Sequence, residues 1–108
     1  MKQIKIFLAT AALAVPLGAQ GQDVAAAEAL AKKSGCMKCH SVSAKKEGPS
    51  FKDTAAKYKG KPDAEKALTA FLTTNPKVKV DGKEEMHDAP KTNDQAQVTN
   101  LVMYILSR

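Results

Sequence analysis

The chain has 108 residues, room for one domain, and carries 17 Lys and Arg against 11 Asp and Glu for a formal charge of +6. It has no Trp, three Phe and two Tyr, too little large apolar material to build a generous core unaided. No internal repeat, low-complexity block or long linker divides it, which excludes repeat architectures and a second domain.

The first stretch reads as something other than part of the domain. Met1-Lys2-Gln3-Ile4-Lys5 is a short basic head, and Ile6 to Leu17 is an apolar run too short to cross a bilayer comfortably. Gly18-Ala19-Gln20-Gly21 then supplies the small residues a signal peptidase needs. Together these predict a secretory signal peptide over residues 1–21, cut after Gly21 or, as second choice, after Ala19. The bland alternative is an uncleaved anchor; cleavage would leave no stable membrane attachment.

Removing residues 1–21 takes Lys2 and Lys5 away, leaving 87 residues (22–108) and a charge of +4. A domain this small buries a modest fraction of its surface. Its aromatics are only Phe51, Tyr58, Phe71 and Tyr104. Small domains of this kind recruit disulfides, metals or cofactors, so something else is expected to fill the middle.

Four helices can be read in chain order. The first runs from about Asp23 to Ser34, rich in Ala and Leu, with Ala27, Leu30, Ala31 and Ser34 on one stripe and Gly35 as its stop. The second starts at Ser50, with Asp53 three residues on as a relative of the capping box, and ends near Tyr58. The third follows Pro62, places Ala64, Leu68, Phe71 and Leu72 on one side, and ends at Asn75-Pro76.

Residues 77–91 show no sustained period; they contain Asp81-Gly82 and Pro90 and read as a long loop, of the kind that is more often functional than accidental. The last helix is the clearest. Thr92-Asn93-Asp94-Gln95 matches a capping box, and Val98, Leu101, Val102 and Ile105 fall at i, i+3, i+4 and i+7. Val78-Lys79-Val80 is the one alternating fragment, so the fold is expected to be all-α.

Two cysteines in an exported chain could form a disulfide. Two residues apart, however, they would close a tiny loop and remove little unfolded-chain entropy. Cys36-Met37-Lys38-Cys39-His40 is instead C-x-x-C-H, the attachment pattern of c-type haem. The two-residue spacing lets both sulfurs reach the two vinyl groups on one edge of the macrocycle, and His40 then projects toward the iron. A thioredoxin-like dithiol also uses C-x-x-C, but wants a neighbouring βαβ unit that this chain lacks strands to build. A zinc site drawing on Cys36, Cys39, His40 and His87 suits tetrahedral geometry poorly, since His40 directly follows Cys39.

The mature chain resembles the small bacterial class I cytochromes c over almost its whole length. The resemblance is carried by an Ala/Leu-rich helix, Gly35-Cys36-Met37-Lys38-Cys39-His40, Gly48-Pro49, Phe51 to Tyr58, a loop methionine, and a terminal helix ending Tyr104-Ile105-Leu106-Ser107. It implies about four short helices around one covalent haem c, with Ala27 and Leu30 meeting Leu101, Tyr104 and Ile105 where the end helices cross. It also implies His40 as one axial ligand, with the Pro49 carbonyl receiving its other ring nitrogen, and Met86 as the second axial ligand. The departures are that His87, not proline, follows Met86, and that the usual tryptophan before the methionine is missing. His87 is therefore the rival ligand. From residue chemistry alone, Gly48-Pro49 reads equally well as an ordinary turn.

An iron with both axial positions filled has no open site for substrate. The resemblance thus implies a periplasmic one-electron carrier rather than an enzyme. The rival readings are an electron-accepting subunit of a periplasmic dehydrogenase and, further off, the dithiol oxidoreductase. Most lysines are solvated surface, but Lys38 in the motif and Lys77, Lys79 and Lys83 in the loop could form a positive rim that steers acidic redox partners. Export and the haem motif leave nucleic-acid binding without context.

Overall fold

Residue 22 to residue 108, together with residues 10 and 11, are described by a computed structural model; the leader reading otherwise lies outside the described residues. Among the described residues there are four α-helices, α1 (Val24–Lys33), α2 (Phe51–Tyr58), α3 (Ala64–Thr73) and α4 (Gln95–Leu106), and one hairpin of β1 (Lys77–Val80) and β2 (Lys83–Met86).

Local chemistry sets the helix ends. The Asp23 carboxylate accepts from the Ala26 amide at 3.0 Å and satisfies one of the orphan donors of α1. Gly35 ends that helix in the left-handed region at φ 77°, where a residue without a Cβ carries no steric penalty. Ser50 caps α2 by accepting from the Asp53 amide at 3.0 Å, as its sequence foretold. The cap of α4 sits two residues later than the Thr92 capping box implied. Asp94 accepts from the Ala96 amide at 2.9 Å, while the Thr92 hydroxyl accepts from the Asp94 amide at 3.1 Å and holds the cap in place.

Helix α4 is the centre of the packing. It buries Val98, Leu101, Val102, Tyr104 and Ile105, and α1, α2 and α3 all pack on it. Ala27 and Ala31 are almost fully buried, and their small side chains let α1 approach α4 closely. The crossing is also clamped by a reciprocal pair. The Asp23 amide donates to Asn100 Oδ1 at 2.8 Å, and Asn100 Nδ2 donates to the Asp23 carbonyl at 2.9 Å. Helix α2 meets α4 edge to face, with the Phe51 and Tyr104 ring centres 6.2 Å apart. Leu68 and Leu72 of α3 complete the core, whereas Phe71, expected on the same side, is exposed.

The stretch expected as a long loop contains the hairpin. Asp81 and Gly82 have φ of 51° and 79°, the pair of positive values that a two-residue type I′ turn requires. The strands pair Lys77 with Met86, Val78 with Glu85, Lys79 with Glu84 and Val80 with Lys83. Only β1 alternates, at Val78-Lys79-Val80, and β2, with Lys83, Glu84 and Glu85, offers no matching apolar pattern. The turn dipeptide and the opposed Lys79 and Glu84 hold the register instead. The fold is otherwise helical, as expected.

Leu101→Ala in the haem-loaded protein should lower unfolding stability by about 2–5 kcal/mol, because no neighbour can collapse into the crossing. Met103→Ala on the exposed side of the same helix should change it by about 0.5 kcal/mol or less, both read by denaturant titration.

Candidate functional site

The turn after α1 brings the chemistry-bearing residues together. Gly35 reverses the chain, and Cys36–Lys38 forms one short 3-10 turn. The Cys36 carbonyl accepts from the amides of both Cys39, at 3.2 Å, and His40, at 2.9 Å. This winds the motif tightly enough to place both cysteines and the histidine within one turn. Lys46 Nζ donates to the Met37 carbonyl at 2.9 Å, tying the following loop back to it.

No disulfide joins the two cysteines, and both are half-buried. Burial pushes the Cys36 thiol above its ordinary value, against an opposing backbone hydrogen bond. Cys39 is raised first by its hydrogen bond to Glu47, whose Oε2 lies 3.4 Å from Sγ. A dithiol oxidoreductase needs a thiol pushed the other way, toward thiolate. Among the described residues the chain also offers no βαβ unit, the setting that a thioredoxin-like dithiol wants. The zinc reading fares no better: among the described residues no three His, Cys, Asp or Glu side chains converge as a metal cage would need.

His40 is held from several sides. Its Nδ1 lies 2.7 Å from the Pro49 carbonyl. That oxygen can only accept, so the proton sits on Nδ1 and the Nε2 lone pair is left for a metal. The Phe51 ring stacks on it at 5.6 Å and 26°. Gly48 packs against its remaining surface so closely that an added Cβ would collide with Cε1 and stand 3.0 Å from Nε2. Gly48-Pro49 is thus more than a turn: the glycine makes room for the ring and the proline carbonyl orients it.

Gly48 in turn donates to the Cys39 carbonyl at 2.7 Å, and the Phe51 amide to the Ser41 carbonyl at 2.9 Å, so the cradle is fastened to the motif it serves. A pair of accessible thiols, an imidazole fixed with one nitrogen free, and a side-chain-free cradle fit a covalently attached haem.

The two residues weighed as the second axial ligand are placed differently. Met86, at the end of β2, is 60% exposed. His87, the next residue, is half-buried, with its ring centre 6.1 Å from that of His40 and 5.0 Å from that of Phe71. Its amide donates to the Pro76 carbonyl at 2.8 Å and its carbonyl accepts from Asn75 Nδ2 at 3.1 Å. Burial, then the nearby His40, pull its pKa down, with the Asp88 backbone and carboxylate opposing. Sequence reasoning saw neither the contact with Phe71 nor the hydrogen bond between Glu47 and Cys39. No local signal could have found the first; Asp81-Gly82 could have signalled the hairpin that carries His87.

Comparisons with known proteins agree with this geometry. A family model for cytochrome c matches residues 24–108. Cytochrome c-551 of Pseudomonas aeruginosa is 36% identical over 90 residues, covering 83% of this chain and 84% of the relative. Cytochrome c-552 of Hydrogenobacter thermophilus is 57% identical over 37 residues, but that stretch covers only 34% of this chain and 38% of the relative. The crystal structure of the class 1 cytochrome MtoD from Sideroxydans lithotrophicus is similar with a TM-score of 0.77 and 44% identity, covering 81% of this chain and 97% of that one.

Gly48→Ala should drive the His40 ring off its position and cost about 1–3 kcal/mol of stability. The expected reading is a high-spin fraction in the ferric absorption spectrum of the loaded variant, absent from the wild type.

Proposed function

The chain belongs to the small bacterial class I cytochromes c, and from that membership we propose that it is a diffusible one-electron carrier of the periplasm, exported by a leader at residues 1–21. The observation that carries the reading is the single turn in which Cys36, Cys39 and His40 converge, with Nδ1 of His40 committed to the Pro49 carbonyl at 2.7 Å. The family's covalent haem c supplies, when bound, one iron that gains or loses a single electron. Cys36 and Cys39 would attach it. His40 would ligate the iron, and Pro49 and Gly48 fix the direction of its ring. Phe51 and Tyr104, buried between α2 and α4, keep water from the proximal side. None of these residues needs to change position between oxidation states, which suits rapid electron passage.

Charge supports a docking side. The hairpin is balanced, with Lys77, Lys79 and Lys83 opposed by Asp81, Glu84 and Glu85, so it contributes no positive rim of its own. The excess lies around the attachment turn, where Lys32, Lys33, Lys38, Lys45, Lys46 and Lys52 are exposed against Glu28, Glu47 and Asp53. A redox partner with an acidic surface would be steered to that side.

The expected product of periplasmic expression is a red protein whose haem survives denaturation, while Cys36→Ala/Cys39→Ala is colourless; a colourless wild type with unmodified mass would reject the proposal. Reversing the charge of Lys38 and Lys45 to Glu should slow reduction by an acidic partner by roughly tenfold at low salt, and the difference should fade as salt rises. Stopped-flow kinetics across ionic strength read both effects.

A further inference from the structure

The reading of the chain as a haem carrier leaves one ligand to assign, and its two candidates are neighbours. In extended backbone, successive side chains point to opposite faces. The β1–β2 ladder runs one step beyond Met86, because the His87 amide donates to the Pro76 carbonyl at 2.8 Å, directly after the Lys77–Met86 pair. Only one of the two side chains can therefore face His40. Met86 is the one turned to solvent, 60% exposed.

We propose that His87, not Met86, supplies the second axial ligand, so that the iron is held between two imidazoles. The spacing of the rings carries this. An imidazole nitrogen binds a metal at about 2 Å. With ring bonds of about 1.33 Å, it lies about 1.1 Å from the ring centre, so two imidazoles on opposite sides of one iron have centres about 6.3 Å apart. The His40 and His87 centres are 6.1 Å apart. The two half-buried rings are tilted by 53° and no hydrogen bond joins them, so no direct contact between the histidines accounts for the spacing.

The rest of the distal side is built to hold His87 there. Asn75, at φ 48°, donates through Nδ2 to its carbonyl at 3.1 Å. Phe71, at 5.0 Å and 60°, backs the ring from α3. Its Nδ1 is sealed from solvent without a well-formed hydrogen bond, which leaves Nε2 as the nitrogen open to a metal. The exposure of Phe71 is explained by the same arrangement: it serves the ring of His87 and not the helical core. Met86, by contrast, is paired with Lys77 at the end of β2 and its side chain is turned to solvent.

This proposal deepens the haem reading and rests on it, so the test separates the two. The loaded wild type, Met86→Ala, His87→Ala and His87→Met are compared by ferric absorption, electron paramagnetic resonance and redox titration. The wild type is expected to be low-spin and to lack the weak red charge-transfer band of an iron–thioether bond. Met86→Ala should leave spectrum and potential unchanged. His87→Ala should turn high-spin and return to low-spin on adding free imidazole. His87→Met should gain the thioether band and a higher potential, because a thioether favours ferrous iron. A thioether band in the wild type that Met86→Ala abolishes, with His87→Ala keeping it, would overturn the assignment while leaving the haem reading intact. A colourless wild type would overturn both.

Discussion

The direction of one imidazole governs the rest of this molecule. His40 is fixed because the Pro49 carbonyl accepts a hydrogen bond from its Nδ1 at 2.7 Å, Gly48 gives the ring room where a Cβ would collide with it, and Phe51 stacks on its face. Each of those three residues is in turn held by something larger. Phe51 opens α2, whose Ser50 cap fixes where the helix begins, and its ring meets Tyr104 of α4. Helix α4 is pinned to α1 by the Asp23 and Asn100 pair. The line of contact from ring to crossing is unbroken, so a loosened helix crossing would be felt as a misdirected ligand. That explains why a domain with few aromatics spends two of its four on this line.

The distal side works by other means. No helix carries His87; a hairpin with little apolar surface does, and isolated two-stranded hairpins are marginal in water. Its stability has to come from its ends. The turn supplies one end, with Asp81 and Gly82 at positive φ, and the Asn75–Pro76 clamp on His87 supplies the other. Between them lie cross-strand charges that hold register without adding a core. An apolar group seated between His40 and His87 would add the missing contact, and the two halves of the structure would then stabilise one another.

The helices were legible because their signals are local and repeated: an apolar stripe, a capping side chain, a glycine where the chain must turn left-handed. Even there the cap of α4 slipped from Thr92 to Asp94, since both lie in a run of five polar residues and only geometry chooses between them. The attachment motif was legible for a different reason. Its chemistry needs two thiols and an imidazole at fixed sequence spacing, so the spacing itself is the signal. The hairpin was hidden because the alternation of Val78-Lys79-Val80 is too short to announce a strand alone and Lys and Glu fill the strand opposite, leaving Asp81-Gly82 as the other signal. Gly48 was ambiguous because glycine before proline suits any turn; the reason for it is a ring eight residues away, which sequence does not place.

The question of Met86 against His87 shows where residue types stop being informative. Both side chains can bind haem iron, both lie in the same segment, and the family's habit favours the sulfur. What separates them is parity along a strand: adjacent residues cannot face the same way, and a shift of one position exchanges which of them turns inward. Parity here is set by the two-residue turn, which touches no ligand, and by the bond from the His87 amide to Pro76. A chain with one more residue in that turn, and every ligating side chain unchanged, would present the sulfur to the interior and the imidazole to water. The ligand is chosen by the register of a hairpin, and the register by a dipeptide with no chemistry of its own.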